Sequence, residues 1–197
     1  MIKYISLDLQ GTLSDSKFSD YFWIEFIPQK YSEKNKISIQ SAKEILKQKF
    51  KEYGVYNILY YDDKYWSEYL KFDTKKELDK FEIRPSINKK MYSYLQNLNL
   101  PKIIVSTTTE LFINYELEEK VKEFEKIYSC VDYFKIGGKT KEVYENIAKE
   151  LNVKPSEILH IGDNYCMDIE NAKKAGVNVI LYDDNVDSLI YNIEKYL

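Results

Sequence analysis

Apolar positions follow two rhythms along the chain. Ile2 to Leu7 alternates and then turns continuously apolar, the pattern of a buried strand, which puts Asp8 at its C-terminal end. From Ser14 to about Ile83 the rhythm is helical, without long β-branched runs. Ala42, Ile45, Leu46, Phe50 and Tyr53 recur at helical spacing, with Ser38 to cap that helix and Gly54 to stop it. Tyr65, Trp66, Tyr69 and Leu70 mark a short amphipathic helix, and Thr74 with Glu77 forms a capping-box pattern before the next. The stretch reads as one long helical insertion.

Beyond Pro85 strands and helices alternate. Ile87, Met91, Leu95 and Leu98 form a helical face, and "KIIVS" is a strand ending at Ser106. A charged helix spans about Leu111 to Phe124, and "YFKI" is the next strand candidate. Val143, Ile147, Ala148 and Leu151 line another helix before "ILHIGD", a strand ending at Asp163. Ile169, Ala172 and Ala175 lie on a helix that Gly176 ends; "VNVILY" is the last strand, and Val186 to Leu197 is helical. This alternation predicts an α/β fold with right-handed crossovers and a parallel sheet. Ligands of such sheets bind beyond the carboxyl ends of the strands, where Asp8, Ser106 and Asp163 all fall.

Composition narrows the function. The 197 residues suit one domain, or a core with a small insertion, and 44% of them are apolar. A net charge of −3 with no basic stripe gives nucleic acid no electrostatic footprint. No apolar run has the length of a membrane span, so no membrane partner is expected. No signal peptide precedes the first strand, and Cys130 and Cys166 read as reduced thiols, so a cytoplasmic location is expected. No feature fixes an oligomeric state.

Three acids carry the first chemistry. Asp163 and Asp168 flank a strand-to-helix turn in "HIGDNYCMDIENAKKAGV", and Asp8 ends a neighbouring strand. Such a cluster is costly unless a cation neutralises it, and an all-oxygen donor set selects a hard ion such as Mg²⁺. A lone Asp163 would otherwise read as a helix cap. Ser106 and Thr107, in "IIVSTTTE", offer hydroxyls and free N–H groups ahead of a helix, where phosphate binds; the plainer reading is a cap by Thr107, Thr108 or Thr109. Lys139 and Lys141 lie just before the helix of "KEVYENIAKEL", either as site cations or as surface lysines.

Together these pieces resemble the haloacid dehalogenase superfamily of hydrolases. "DLQGTL" is similar to its first motif, D-x-D-G-T-[LV]; "IIVST" to the second; Lys139 or Lys141 to the third; and "IGDNYCMD" to the fourth, G-D-x-x-x-x-D. The resemblance implies a Rossmann-like parallel-sheet core, residues 1–15 and 84–197, with an α-helical cap, residues 16–83, inserted between the first two motifs. It implies Asp8 as the nucleophile that becomes an aspartyl phosphate. It implies Mg²⁺ held by Asp8, the Gln10 backbone carbonyl and Asp163, with Asp168 supporting, and a small phosphorylated substrate. Ser106, Thr107 and a lysine would hold the phosphoryl oxygens; Lys139 is preferred as the nearer to the strand end, with Lys141 its rival.

One position departs from the pattern. Gln10 stands where family phosphatases carry the aspartate that protonates the leaving group and then activates water. Such acid–base help is worth roughly 10²–10⁴-fold. Gln10 keeps a backbone metal contact and a hydrogen-bonding amide, but it cannot be the base. The readings that follow are a slow phosphatase, a phosphotransferase or an enzyme with a long-lived aspartyl phosphate, a 2-haloacid dehalogenase-like hydrolase, or a non-catalytic phosphate-binding protein. Asp163 and Asp168 rank phosphatase above dehalogenase. The aromatics of the insertion, from Tyr21 to Tyr69, read first as the core of a small bundle and second as a ring-lined lid. Arg84, the only arginine, falls at the return to the core, His160 reads as a packed core residue, and Cys166 as a poor Mg²⁺ partner.

Overall fold

The computed structural model describes residues 1–197. Five strands form one parallel sheet: β1 Tyr4–Leu7, β2 Lys102–Ser106, β3 Lys126–Ser129, β4 Ile158–Gly162 and β5 Asn178–Leu181, in the order β3-β2-β1-β4-β5. Successive side chains of a strand face opposite ways. Ile104 accordingly joins one apolar cluster, while Ile103 and Val105 join another. Helices α6 (Lys89–Asn97), α7 (Glu110–Leu117) and α10 (Val186–Glu194) cover the first face through Met91, Leu95, Ile113, Leu117, Leu189 and Ile193. Helices α8 (Lys141–Glu150) and α9 (Asn171–Lys174) cover the second through Val143, Tyr144, Ile147, Ala148 and Ala172. The winding reverses at β1, whose neighbours are β2 and β4. The crevice beyond the carboxyl ends of β1 and β4 is therefore the switch point where α/β sheets bind ligands.

Between β1 and β2 the chain is helical: α1 Lys17–Tyr21, α2 Ile27–Asn35, α3 Ile39–Tyr53, α4 Asp63–Leu70 and α5 Thr74–Asp79. Ser38 caps α3 by accepting from the Ser41 N–H at 3.0 Å, and Gly54 ends it. Phe18, Phe22, Trp66 and Phe81 are buried in one cluster that also takes in Phe112 of α7. Most of the aromatics thus serve as packing, and only part of the set, around Tyr56–Tyr61, turns to the sheet. The chain leaves and rejoins the sheet side by side: the Asp15 N–H donates to the Ser86 carbonyl and the Asn88 N–H to the Leu13 carbonyl, both at 3.0 Å.

Three local expectations are corrected. The third strand is β3, "KIYS", and not "YFKI". Helix α7 stops at Leu117, where Glu118 takes φ +49°, and a 3₁₀ segment over Glu118–Glu123 leads into β3. Tyr133 and Phe134 lie instead in a single wide turn that Lys135 ends at φ +58°, with the Phe134 ring stacked on Tyr128. Their aromatic character serves packing, not pairing. The cap of α5 is Asp73, which accepts from the Lys76 N–H at 3.2 Å. Thr74 lies one residue inside, its hydroxyl buried 2.8 Å from that of Ser67.

Candidate active site

The loop after β1 is tied back on itself. The Gly11 N–H donates to the Ser14 carbonyl, and the Ser14 N–H to the Leu9 carbonyl, both at 2.8 Å. Gly11 takes φ +83°, and a Cβ there would fall 2.4 Å from Asp163 Oδ2. Only glycine permits both the left-handed turn and the approach of this backbone to the Asp163 carboxylate. Thr12, buried behind, donates to Asp163 Oδ1 at 3.4 Å.

Asp8 is buried at the mouth of the switch point, and Lys139 Nζ lies 2.7 Å from its Oδ1. Lys139 is itself only 2% exposed and also pairs with Asp168 Oδ1. It is held there by the Gly137–Gly138 turn before it and by Asn171, whose amide donates to the Lys139 carbonyl at 2.8 Å. Lys141 lies on the exposed first turn of α8 and pairs with Glu145 at 3.1 Å. Of the two lysines, only Lys139 meets the acids.

Asp168 is fully buried with both oxygens engaged. Oδ1 faces Lys139 and His160 Nε2, the latter at 3.1 Å, and Oδ2 accepts from the Asn164 N–H at 3.0 Å. His160 is a core residue that also orients this acid: its Nδ1 meets the Ser6 hydroxyl at 2.7 Å. Burial alone would raise the Asp168 carboxyl, but Lys139 and His160 override it and hold it well below the usual carboxylate range. Burial pushes Asp8 up to about 8; Lys139 opposes this, while Asp168 and Asp163 add to it. Burial likewise opposes the Lys139 charge, yet Asp168 and Asp8 keep it protonated, above the ordinary lysine value.

One lysine, paired with Asp8 and Asp168, thus stands in a cluster of three carboxylates. Oxygens of Asp8, Asp163 and Asp168 lie within 4.8 Å of one another. Asp163 is exposed, and it and Asp8 each keep an oxygen outside the bonds just described. The uncompensated charge, the open oxygens and the hard donor set fit a divalent cation of the Mg²⁺ type. Asp163 does not cap the turn that follows; Asn164 does, accepting from the Met167 N–H at 3.0 Å.

Ser106 ends β2, buried, and its Oγ accepts from the Thr108 N–H at 3.3 Å. None of Thr107, Thr108 and Thr109 makes the expected capping bond; Thr109 is the N-cap of α7 by position alone. Half-buried Thr107 lies beside Tyr61, a phenol from the helical segment that burial raises above its ordinary pKa. The same segment presses on the Lys139 turn: a Cβ on Gly137 would fall 2.4 Å from the Asn57 backbone, and one on Gly138 2.8 Å from the Tyr56 ring. The Tyr56 hydroxyl also meets Cys166 Sγ at 3.0 Å. Arg84 is occupied elsewhere, donating to the Phe81 carbonyl at 2.8 Å and to the Tyr115 hydroxyl.

Gln10 has a partner that sequence reasoning missed. Its Nε2 donates to Glu116 Oε1, and the Ser14 hydroxyl donates to Glu116 Oε2 at 2.5 Å. Glu116 sits on α7, 3% exposed, among Phe112, Ile113 and Leu117. Burial pushes its carboxyl up to about 7, against the two hydrogen bonds. A glutamate on the apolar face of a helix was the available signal.

Comparison with known proteins shows the family. A family model of haloacid dehalogenase-like hydrolases matches residues 2–176. The GMP/IMP nucleotidase YrfG of Escherichia coli is 35% identical over 69 residues, which is 35% of this chain and only 31% of that protein. A HAD phosphatase from Thermococcus onnurineus superposes with a TM-score of 0.79 at 16% identity, covering 93% of this chain and 87% of that one. The L-2-haloacid dehalogenase of Xanthobacter autotrophicus does so at 0.55 and 20% identity, over 91% and 76%. A HAD family enzyme from Bacteroides thetaiotaomicron, in complex with magnesium and inorganic phosphate, does so at 0.58 and 16%, over 92% and 94%. The matched family model spans most of the chain, and the protein belongs to the haloacid dehalogenase-like hydrolases.

Proposed function

We propose that the protein is a Mg²⁺-dependent phosphatase of small phosphate esters that works through an aspartyl phosphate on Asp8. The observation that carries this reading is a buried Asp8 at the switch point, 2.7 Å from a buried Lys139 and beside Asp163. An Asp8 oxygen attacks phosphorus as the bond to the ester oxygen breaks, and that oxygen leaves with the electron pair. Lys139 and the hydroxyls and N–H groups at Ser106 and Thr107 stabilise charge on the phosphoryl oxygens. Asp168, with both oxygens engaged, keeps Lys139 in place. Asp8, the Gln10 carbonyl and Asp163 are the residues to hold Mg²⁺, with Asp168 behind them; bound there, the ion supplies charge stabilisation to the transferring phosphoryl group. Gln10 carries no exchangeable carboxyl proton, so esters with good leaving groups react best. Residues 1–15 and 84–197 form the core in this reading and residues 16–83 the cap, whose Tyr61 excludes water from the Thr107 side.

The stretch shared with a nucleotidase makes nucleoside monophosphates the first substrates to try. One observation favours a second reading: an amide at position 10 suits a dehalogenase, which attacks carbon and needs no leaving-group acid. A panel of phosphoesters and 2-haloacids, with Mg²⁺ or with chelator, separates the two. The expected result is phosphoester turnover that chelator abolishes, and a Mg²⁺ dissociation constant raised at least about 10-fold in Asp163→Asn, read by calorimetry. Haloacid turnover that survives chelator, with phosphoesters untouched, supports the second reading. Mg²⁺ binding without turnover of either class identifies a binding protein.

A further inference from the structure

The buried carboxylate of Glu116 has no part in the chemistry above, yet it touches the one residue that departs from the family motif. It faces no lysine or arginine among its hydrogen-bond and ion-pair partners; its two oxygens are occupied by Ser14 Oγ and Gln10 Nε2. Both of its neighbours donate to it, and an ionised carboxylate is an acceptor only. It therefore selects one orientation of the Gln10 amide: Nε2 toward Glu116 and the carbonyl Oε1 turned away from it. The reverse orientation would set two acceptors against each other in a buried place. An oriented glutamine carbonyl is useful in phosphoryl transfer, because it accepts a hydrogen bond from the attacking water and aims it without removing its proton.

We propose that Glu116 is a positioning residue: it holds the Gln10 amide so that Oε1 orients the water of the dephosphorylation step. This rests on the phosphatase reading. In that step water forms a new bond to phosphorus as the bond to Asp8 breaks, and the electron pair returns to the Asp8 carboxylate. The proton of the water passes to a phosphoryl oxygen, since the amide does not keep it. A carboxylate one hydrogen bond behind position 10 thus makes a directed acceptor out of a residue that cannot be a base.

The test compares wild type, Glu116→Met, Glu116→Gln, Gln10→Ala and the double variant Gln10→Ala with Glu116→Met. Each is given para-nitrophenyl phosphate with Mg²⁺ in rapid-mixing experiments that separate the phosphorylation burst from the steady state. Methionine fills the space without an acceptor oxygen; glutamine can still accept from Gln10. Glu116→Met should slow dephosphorylation roughly 10-fold, with the burst rate and kcat/KM within about twofold of wild type. Glu116→Gln should restore most of the rate, and Glu116→Met should cost less than about twofold once Gln10 is alanine. An equal cost in both backgrounds, equal slowing of both half-reactions, or failure of Glu116→Gln to rescue overturns the proposal. A second readout needs no turnover: the Gln10 side-chain amide resonance, assigned by its loss in Gln10→Ala. It should be shifted downfield in wild type and return toward the solvent-exposed position in Glu116→Met. A resonance indifferent to Glu116 also overturns the proposal. If the resonance responds but wild type turns over no phosphoester, the phosphatase reading falls, and the water-orienting role with it.

Discussion

Asp8→Asn should lose all measurable turnover of an activated phosphoester, a fall of at least about 10³-fold, while the protein stays folded. The two halves of this expectation have separate causes. The amide removes the attacking oxygen anion, and nothing else at the switch point replaces it: Asp168 has both oxygens engaged, and Asp163 lies across the turn at Gly11. The fold tolerates the change because ionised Asp8 is costly in the metal-free protein, where its carboxyl is pushed up to about 8. A group whose folded pKa lies above its unfolded value favours the folded state most at low pH. Metal-free wild type should therefore lose stability as pH rises from about 4 to about 8, and Asp8→Asn should lose less over that range. Urea unfolding in chelator at both ends of the range, beside a turnover assay, checks both halves. Turnover retained by Asp8→Asn would assign the nucleophile wrongly.

Lys139→Met should be the most damaging single change to stability, about 3–5 kcal/mol, because it strands two buried carboxylates that share one cation. The loss should be larger at pH 8 than at pH 5. Asp168 is held low by Lys139 and His160 against its burial; with Lys139 gone that burial raises it, so the stranded carboxyls are relieved by protonation at pH 5 more than at pH 8. Without Lys139 the Asp168 contribution weakens, while Asp8 loses the one partner that opposes its raised pKa. Lys141→Met removes an exposed pair with Glu145 and should change stability by no more than about 0.5 kcal/mol. Urea midpoints of the two variants at both pH values decide it; similar losses in both would contradict the pairing.

The sheet was legible where a strand is a short, mostly apolar run followed by a polar residue, as "KIIVS" and "ILHIG" with Asp163 are. The strand ends carry two acids and a hydroxyl, so Asp8, Ser106 and Asp163 could be gathered from topology alone. Position along the chain favoured Lys139 over Lys141 without deciding between them, since both lie at the start of the same helix. It turns on the left-handed Gly138 and on α8 beginning at Lys141, which sends that side chain outward. β3 was misplaced because Tyr133 and Phe134 look like strand residues, yet their rings pack against Tyr128. Glu116 was hidden for a different reason. It lies in a stretch that looks merely charged, and its burial follows only once Phe112, Ile113 and Leu117 fix which face of α7 meets the core.

The central claim is that phosphoryl transfer passes through Asp8. The most direct test is acid-quenched mass spectrometry of the protein mixed with Mg²⁺ and para-nitrophenyl phosphate, followed by digestion. Without a base at position 10, dephosphorylation should be the slow half-reaction, so the intermediate accumulates. The account predicts a hydroxylamine-sensitive phosphoryl group on the peptide that bears Asp8, absent with chelator and absent in Asp8→Asn. Rapid turnover with that peptide unlabelled, or a label on another residue, would contradict it.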